Sequence, residues 1–339
     1  MAEGFFTLSE ADRIEALAVA ASKSGRPAHI LEKDAWVVWT LSALFRSPFA
    51  EHLTFKGGTS LSKVYRAIDR FSEDIDVTYD IRAIAPDLVK DSGPDALPAS
   101  RSQAAKWRDT IDERLEKWLT AEVLPYIQRC LESDKLAATC RLDNGESIFI
   151  DYENRVGGYG YVGPYIKIEF GARSTGEPTV SATVSCDAAE HVPGVIFPNA
   201  DVHVMRVERT AWEKMTAIHV FCLKRNIKNQ LARHWSDISK LHAAGHINAA
   251  IEDRDIAQRV ADHKSKFFVE KDHQGNNINY HKAIGGGLVL VPEGEVLGLL
   301  EQDYAKMVES HLFLLDPEPL KIVVERCAEI QERANAMAQ

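Results

Sequence analysis

Residues 55–80, FKGGTSLSKVYRAIDRFSEDIDVTYD, decide how this chain is read. A glycine pair, Gly57-Gly58, runs directly into two hydroxyls, Thr59 and Ser60, and farther on Asp74 and Asp76 flank a single isoleucine. Leu53 to Lys56 reads as a short strand, Thr59 to Asp69 as a helix beginning at the glycine turn, and Asp74 to Tyr79 as a second strand. Side chains alternate along a strand, so both carboxylates project from one face while Ile75 and Val77 point to the other. Paired carboxylates offer the hard oxygen ligands that Mg²⁺ prefers, and two such ions about 3.5–4 Å apart clamp the attacking and leaving oxygens of a phosphoryl displacement. The glycine turn permits close backbone approach, and free N–H groups at a helix start suit phosphate. No G-x-x-x-x-G-K-[ST] run occurs in the stretch, so it is not a P-loop. A lone D-x-D is usually the wet face of an edge strand; the glycine turn one helix earlier favours a phosphate cradle facing a metal site.

Upstream, Thr7-x-x-Glu10 reads as a capping box opening a helix through Ala21, and Ile30, Trp36, Val37, Leu41 and Leu44 recur at helical spacing over Ala28 to Phe45. Downstream, Pro86, Gly93, Pro94 and Pro98 mark residues 84–102 as an exposed insertion, followed by a long helix from about Ser102 to Cys130. Short alternating strands are expected at 147–152, 164–170, 179–185 and 201–207, with turns such as Val156-Gly157-Gly158 between them. From Glu208 the pattern is helical, interrupted by GGGLVLVP at 285–292 before two C-terminal helices. The expected fold is α+β: a mixed sheet flanked by helices over residues 1–207 and a mainly helical domain over 208–339.

The chain has 339 residues, of which 45% are hydrophobic, so a sizeable core is expected. A formal net charge of -10 argues against a surface built as a whole to hold nucleic acid, so any such site must be local. The five cysteines, Cys130, Cys140, Cys186, Cys222 and Cys327, form no C-x-x-C pair and read as buried thiols. The N-terminus lacks the basic start and apolar run of a secretion signal, and no segment reaches eighteen apolar residues, so a cytoplasmic protein without a membrane partner is expected.

Taken together, GG-T-S, a short helix and S-E-D-I-D-V resemble the signature of the DNA polymerase β-type nucleotidyltransferase superfamily, in the version of the AbiEii/AbiGii (MenT-like) toxin family. Further motifs follow in the family order over roughly residues 28–310. Pro164 to Phe170 (PYIKIEF) resembles the later strand whose carboxylate, here Glu169, binds metal or deprotonates the attacking hydroxyl; Asp151 is a weaker rival. Arg209 to Lys214 resembles the family's EK helix, in which the lysine contacts the triphosphate. Arg233-His234-Trp235-Ser236-Asp237 resembles its R-D-x-x-D helix, with His234 in place of the first aspartate and Asp237 in the position implied to be functional. Glu32-Lys33-Asp34 and Asp303-Tyr304 with Met307 are softer matches.

The resemblance implies a toxin of an AbiE-like toxin–antitoxin, phage-defence system. Such an enzyme adds a nucleoside monophosphate from an NTP to tRNA 3′ ends, with two Mg²⁺ held by Asp74, Asp76 and Glu169. Gly57, Gly58, Thr59, Ser60 and Lys214 would hold the triphosphate, and Asp237 would assist metal binding or proton removal. It also implies a cognate antitoxin, AbiEi-like or other. The alternatives are a relative that modifies a protein side chain and, from another class, a non-catalytic interaction module. In some relatives the serine matching Ser72 is a silencing modification site; a phosphate there adds about -1.5 to -2 charge beside the metal carboxylates. Lys224, Arg225, Lys228, Arg233 and Lys240 form a local basic stripe suited to an RNA backbone, with Trp235 available for stacking. His242 and His246 have a metal-compatible spacing, but Gly245 between them and the lack of a third ligand favour a structural role.

Overall fold

The computed structural model describes residues 3–156, 163–227, 230–309 and 313–338. The turn expected at Gly157-Gly158 and the basic residue Lys228 lie outside the described residues. The chain divides into two units, one of Met1–Val64, Phe71–Asp87 and Asp109–Val204, the other of Tyr65–Arg70, Leu88–Arg108 and Met205–Gln339.

Nine strands are described: β1 (Glu3–Gly4), β2 (Leu53–Lys56), β3 (Ile75–Tyr79), β4 (Ala138–Asp143), β5 (Ser147–Tyr152), β6 (Tyr165–Gly171), β7 (Thr179–Ser185), β8 (Val195–Ile196) and β9 (Asn199–Met205). β1 and β8 make a small parallel pair, and the other seven form one sheet in the order β4-β5-β6-β3-β2-β9-β7. That sheet is mixed: β3 runs parallel to β6 but antiparallel to β2, and β6 runs antiparallel to β5.

Alternation decides which way the central strands face. Ile75, Val77, Ile166, Ile168, Ile148 and Ile150 are buried, while Asp76, Lys167 and Glu169 between them are partly exposed. The Ala28–Phe45 helix packs against β6 and is buried on nearly every side, its charged residues Glu32, Lys33 and Asp34 included. Trp36 on that helix stacks on Tyr152 of β5 with ring centroids 4.9 Å apart.

Several local expectations change. Thr7 is not a capping residue: Phe5–Thr7 forms a tight turn in which Thr7 Oγ1 donates to Gly4 O, and Ser9 caps the Glu10–Ser24 helix by accepting from Asp12 N. The glycine-turn helix is short, Gly57–Lys63, and β3 starts at Ile75, so Asp74 stands at the strand's entrance and Ser72 lies outside it. The long helix runs as Arg101–Trp118 and Leu124–Ser133 with a wider turn at Leu119–Val123. β4 had no clear sequence signal, because its alternating residues are only half-buried. The cysteines are free thiols, but Cys130 and Cys140 are only partly buried.

In the second unit the helices Val207–Lys224, Ala232–Ala243, His246–Glu252, Arg254–Phe267, Glu295–Glu309 and Leu320–Met337 surround two buried tryptophans. Each indole needs a partner once desolvated: Trp212 Nε1 donates to Ala250 O at 2.6 Å and Trp235 Nε1 to Leu290 O at 2.8 Å. Residues 84–102 are not wholly an exposed insertion, since Val89, Ala96 and Pro98 are buried and Asp95 bonds Arg259 of this unit. No helix among the described residues is long and apolar enough to cross a membrane. Ile168 is completely buried under the acidic face, so Ile168→Ala should destabilise the first unit by about 2–5 kcal/mol, read as a lower urea midpoint.

Candidate active site

Register across four strands aligns the acidic face. Lys56 pairs with Asp76, Asp76 with Glu169, and Glu169 with Ser147, so these residues form one row on the sheet. Residues opposed in this way share a face, which places the Asp76 and Glu169 carboxylates on neighbouring strands and Asp74 one pleat before Asp76. The register therefore brings Asp76 and Glu169 together in the first unit, with Asp74 at the entrance of β3. Asp151 pairs with Tyr165, farther along the same face, and its Oδ2 accepts from Arg141 at 2.8 Å.

The glycine turn serves this row sterically. Gly57 adopts φ +77°, in the left-handed region, and a Cβ there would collide with the Asp76 carboxylate. Ser60 Oγ donates to Gly57 O at 2.8 Å, and Thr59 Oγ1 donates to Asp74 O while lying 3.0 Å from Ser72 Oγ. Thr59 and Ser60 are fully buried, so their hydroxyls hold the turn and the entrance of β3 together, whereas Gly57 and Gly58 stay partly exposed. Ser72 is partly exposed beside Thr59.

Lys167 is a member of this site that its motif had not singled out. It lies two residues before Glu169 on β6, on the same face, with Nζ 2.5 Å from Glu169 Oε1. Asp74 and Asp76 also attract this ammonium, so the carboxylates already gather a cation. Among the described residues no group of three or more His, Cys, Asp or Glu side chains is arranged to hold a metal ion. Mg²⁺ typically takes one or two protein carboxylates and completes its shell with water and substrate phosphate, a demand that Asp74 and Asp76 fit by donor type and charge.

The Glu32-Lys33-Asp34 motif lies in the core of the Ala28–Phe45 helix. Lys33 pairs with Glu73, just before Asp74, and donates to Gly163 O at 2.9 Å. Asp34 accepts from Lys63 Nζ at 2.5 Å and from Asp187 N at 2.6 Å. Burial opposes the charge on Lys63, but Asp34 and Asp187 together hold its pKa above the usual value. Burial pushes the Glu32 carboxyl up to about 7.

The second unit brings Lys214 and Asp237 together. Asp237 is completely buried; Arg70 Nε and Nη2 each reach it at 2.8 Å, and Lys214 Nζ at 2.9 Å. Its partners are thus Arg70 and Lys214, not the Arg233 that helical spacing offers. Burial would raise its pKa, but Arg70 and Lys214 overcome this and hold the carboxyl well below the usual range. His234 packs edge-on against Phe221, and desolvation followed by the charge of Lys214 keeps its imidazole neutral.

Two lysines of the basic stripe carry acidic partners, although Lys224 stays exposed. Lys224 pairs with Glu270 at 2.7 Å, Lys240 pairs with Asp69 at 2.8 Å, and the expected stacking residue Trp235 is in the core. Both acidic partners are distant in sequence. Arg225 is exposed at the C-terminal end of its helix, and Arg233 is partly exposed. Gly245, in the left-handed conformation, ends one helix between His242 and His246, so these histidines do not share a helix face. Asp303 is structural: it accepts from Gln230 N and Ala232 N, both at 2.7 Å, and so caps the helix that carries Asp237.

Residues 39–329 match the family model described as nucleotidyl transferase AbiEii toxin, type IV TA system. The chain belongs to this family. It is accordingly a nucleotidyltransferase toxin, with an NTP substrate and a cognate antitoxin implied by the family. No curated protein matches the sequence at a significant level. Similar solved structures include MenT4, a nucleotidyltransferase toxin from Mycobacterium tuberculosis H37Rv, at 16% identity and TM-score 0.42, covering 95% of this chain and 99% of that one. JHP933 from Helicobacter pylori aligns at 13% identity and TM-score 0.40, over 91% of this chain and 90% of its own.

Two substitutions test the geometry of this toxin. Gly57→Ala should cost about 1–3 kcal/mol through the unfavourable backbone and the displaced Asp76, measured by urea unfolding. Asp237→Asn should cost about 3–5 kcal/mol near neutral pH, because it removes the buried carboxylate that pairs with both Arg70 and Lys214. The depressed folded pKa makes the contribution of Asp237 complete above the unfolded carboxylate range, about 4, and progressively lost as pH falls toward the folded value. The deficit of the variant should therefore shrink between pH 7 and pH 3 in matched unfolding curves.

Proposed function

We propose that this toxin transfers a nucleoside monophosphate from an NTP to the 3′ end of tRNA and thereby blocks translation. The observation that supports the chemistry best is the alignment of Asp76 with Glu169, with Asp74 one pleat away and Gly57 making room for the Asp76 carboxylate. In this reading the tRNA 3′ hydroxyl attacks the α-phosphate in line, the new P–O bond forms as the bond to the β-phosphate breaks, and pyrophosphate leaves. Asp74 and Asp76 hold Mg²⁺, which when bound supplies charge neutralisation at the phosphate oxygens.

Between the two candidates for taking the hydroxyl proton, Glu169 is favoured over Asp237. Glu169 is partly exposed on the acidic face, whereas both oxygens of Asp237 are engaged in a fully buried ion cluster. Asp237 is better suited to positioning Lys214, for which we keep the phosphate-binding role that the motif resemblance implies. The acceptor assignment rests on that resemblance. A protein side chain is the second reading, favoured by the ion pairs that engage Lys224 and Lys240 and by the burial of Trp235, which removes the expected stacking residue.

Incubation with each labelled NTP, total tRNA and a protein extract separates the readings. Label in the tRNA fraction is expected, and label confined to protein overturns the tRNA assignment. Asp76→Ala should reduce transfer to background and relieve growth inhibition while leaving the circular dichroism spectrum unchanged; a variant of full activity would remove Asp76 from the mechanism.

A further inference from the structure

The sheet carries a cation of its own on its acidic face. Lys167 and Glu169 alternate with the buried Ile166 and Ile168, so both point from the same side of β6. The register of β3 with β6 sets Glu169 beside Asp76 and starts at the Ile75–Ile168 pair, which Asp74 and Lys167 immediately precede in their chain segments. The Lys167 ammonium is 2.5 Å from Glu169 Oε1 and attracted as well by Asp74 and Asp76. Its Cα is locked in a strand with paired neighbours on both sides, but its side chain is 29% exposed, so the four-carbon arm can swing into solvent.

We propose that Lys167 is a displaceable counter-cation. In the metal-free protein it pairs with Glu169 and adds one positive charge to the face that carries Asp74 and Asp76; when a divalent cation is held by Asp74 and Asp76, Lys167 releases Glu169 and turns to the phosphates of the nucleotide. This inference rests on the reading that Asp74 and Asp76 bind a divalent cation. It makes two demands of opposite sign on one residue. An ammonium held within a few ångströms of the entering cation opposes its binding, and the same ammonium strengthens binding of a polyanionic nucleotide once the cation is in place. A permanent Lys167–Glu169 salt bridge would meet only the first demand, so the second, on nucleotide affinity, is the one that distinguishes a displaceable arm.

The test measures Mn²⁺ binding to the full chain without nucleotide, by electron paramagnetic resonance, and then the affinity of a non-hydrolysable NTP analogue at saturating Mn²⁺. Lys167→Gln should tighten Mn²⁺ binding by about tenfold or more and weaken analogue binding by a similar factor. Lys167→Met, which keeps the apolar length of the arm, should do the same, and Lys167→Arg, which keeps the charge, should stay near wild type in Mn²⁺ affinity. Unchanged or weaker Mn²⁺ binding in both neutral variants, with their circular dichroism spectra intact, overturns the proposal. Asp76→Asn separates this failure from that of the underlying reading: if it abolishes Mn²⁺ binding while Lys167→Gln leaves it unaltered, the metal site stands and only the role of Lys167 falls. If wild type binds no Mn²⁺, both fall.

Discussion

Carboxylates aligned on adjacent strands repel one another, and the first unit is organised around that constraint. Asp76 and Glu169 are direct neighbours in the ladder, with Asp74 one pleat away. Like charges so placed destabilise a sheet unless something offsets them. Burial of Ile75, Val77, Ile166 and Ile168 on the opposite face fixes the register, because a slip of one residue would drive the carboxylates into the core. Gly57 clears the space that Asp76 occupies, and Lys167 supplies a positive charge. A site under electrostatic tension is thus held by an apolar core that cannot rearrange.

The second unit solves the inverse problem. There the charge is buried, and Asp237 gathers Arg70 and Lys214 around a carboxylate with no access to water. Such a cluster is weak as a source of net stability but demanding in geometry, since removal of the carboxylate takes a buried partner from both cations. Its consequence is a lysine whose ammonium is held in one place. Asp303 supports the arrangement indirectly by satisfying the amides of Gln230 and Ala232 at the start of the Asp237 helix.

Much of the acidic site was legible because strand alternation is a strictly local rule. D-I-D and K-I-E each announce which residues share a face, and the glycine turn announces a tight junction; β5 and β7 follow the expected bounds for the same reason. The surroundings of Lys167 were not legible, because Asp74 and Asp76, which attract it, are nearly a hundred residues away and only the pairing of β3 with β6 brings the two strands together. The basic stripe misled in the opposite sense. Trp235 looks available along the sequence, yet the core around Leu290 claims it, and Lys224 and Lys240 carry the acidic partners Glu270 and Asp69.

The sequence by itself determined the family, the α+β alternation and the face on which Asp74, Asp76 and Glu169 stand, since each follows from motif order or from the period of a strand. Tertiary structure alone decided which charges meet. Arg70 rather than Arg233 became the partner of Asp237, the hydroxyls of Thr59 and Ser60 turned inward, and Lys167 came to rest among the carboxylates. Burial and strand register choose partners by distance in space, and neither quantity is written in the spacing of residues along the chain.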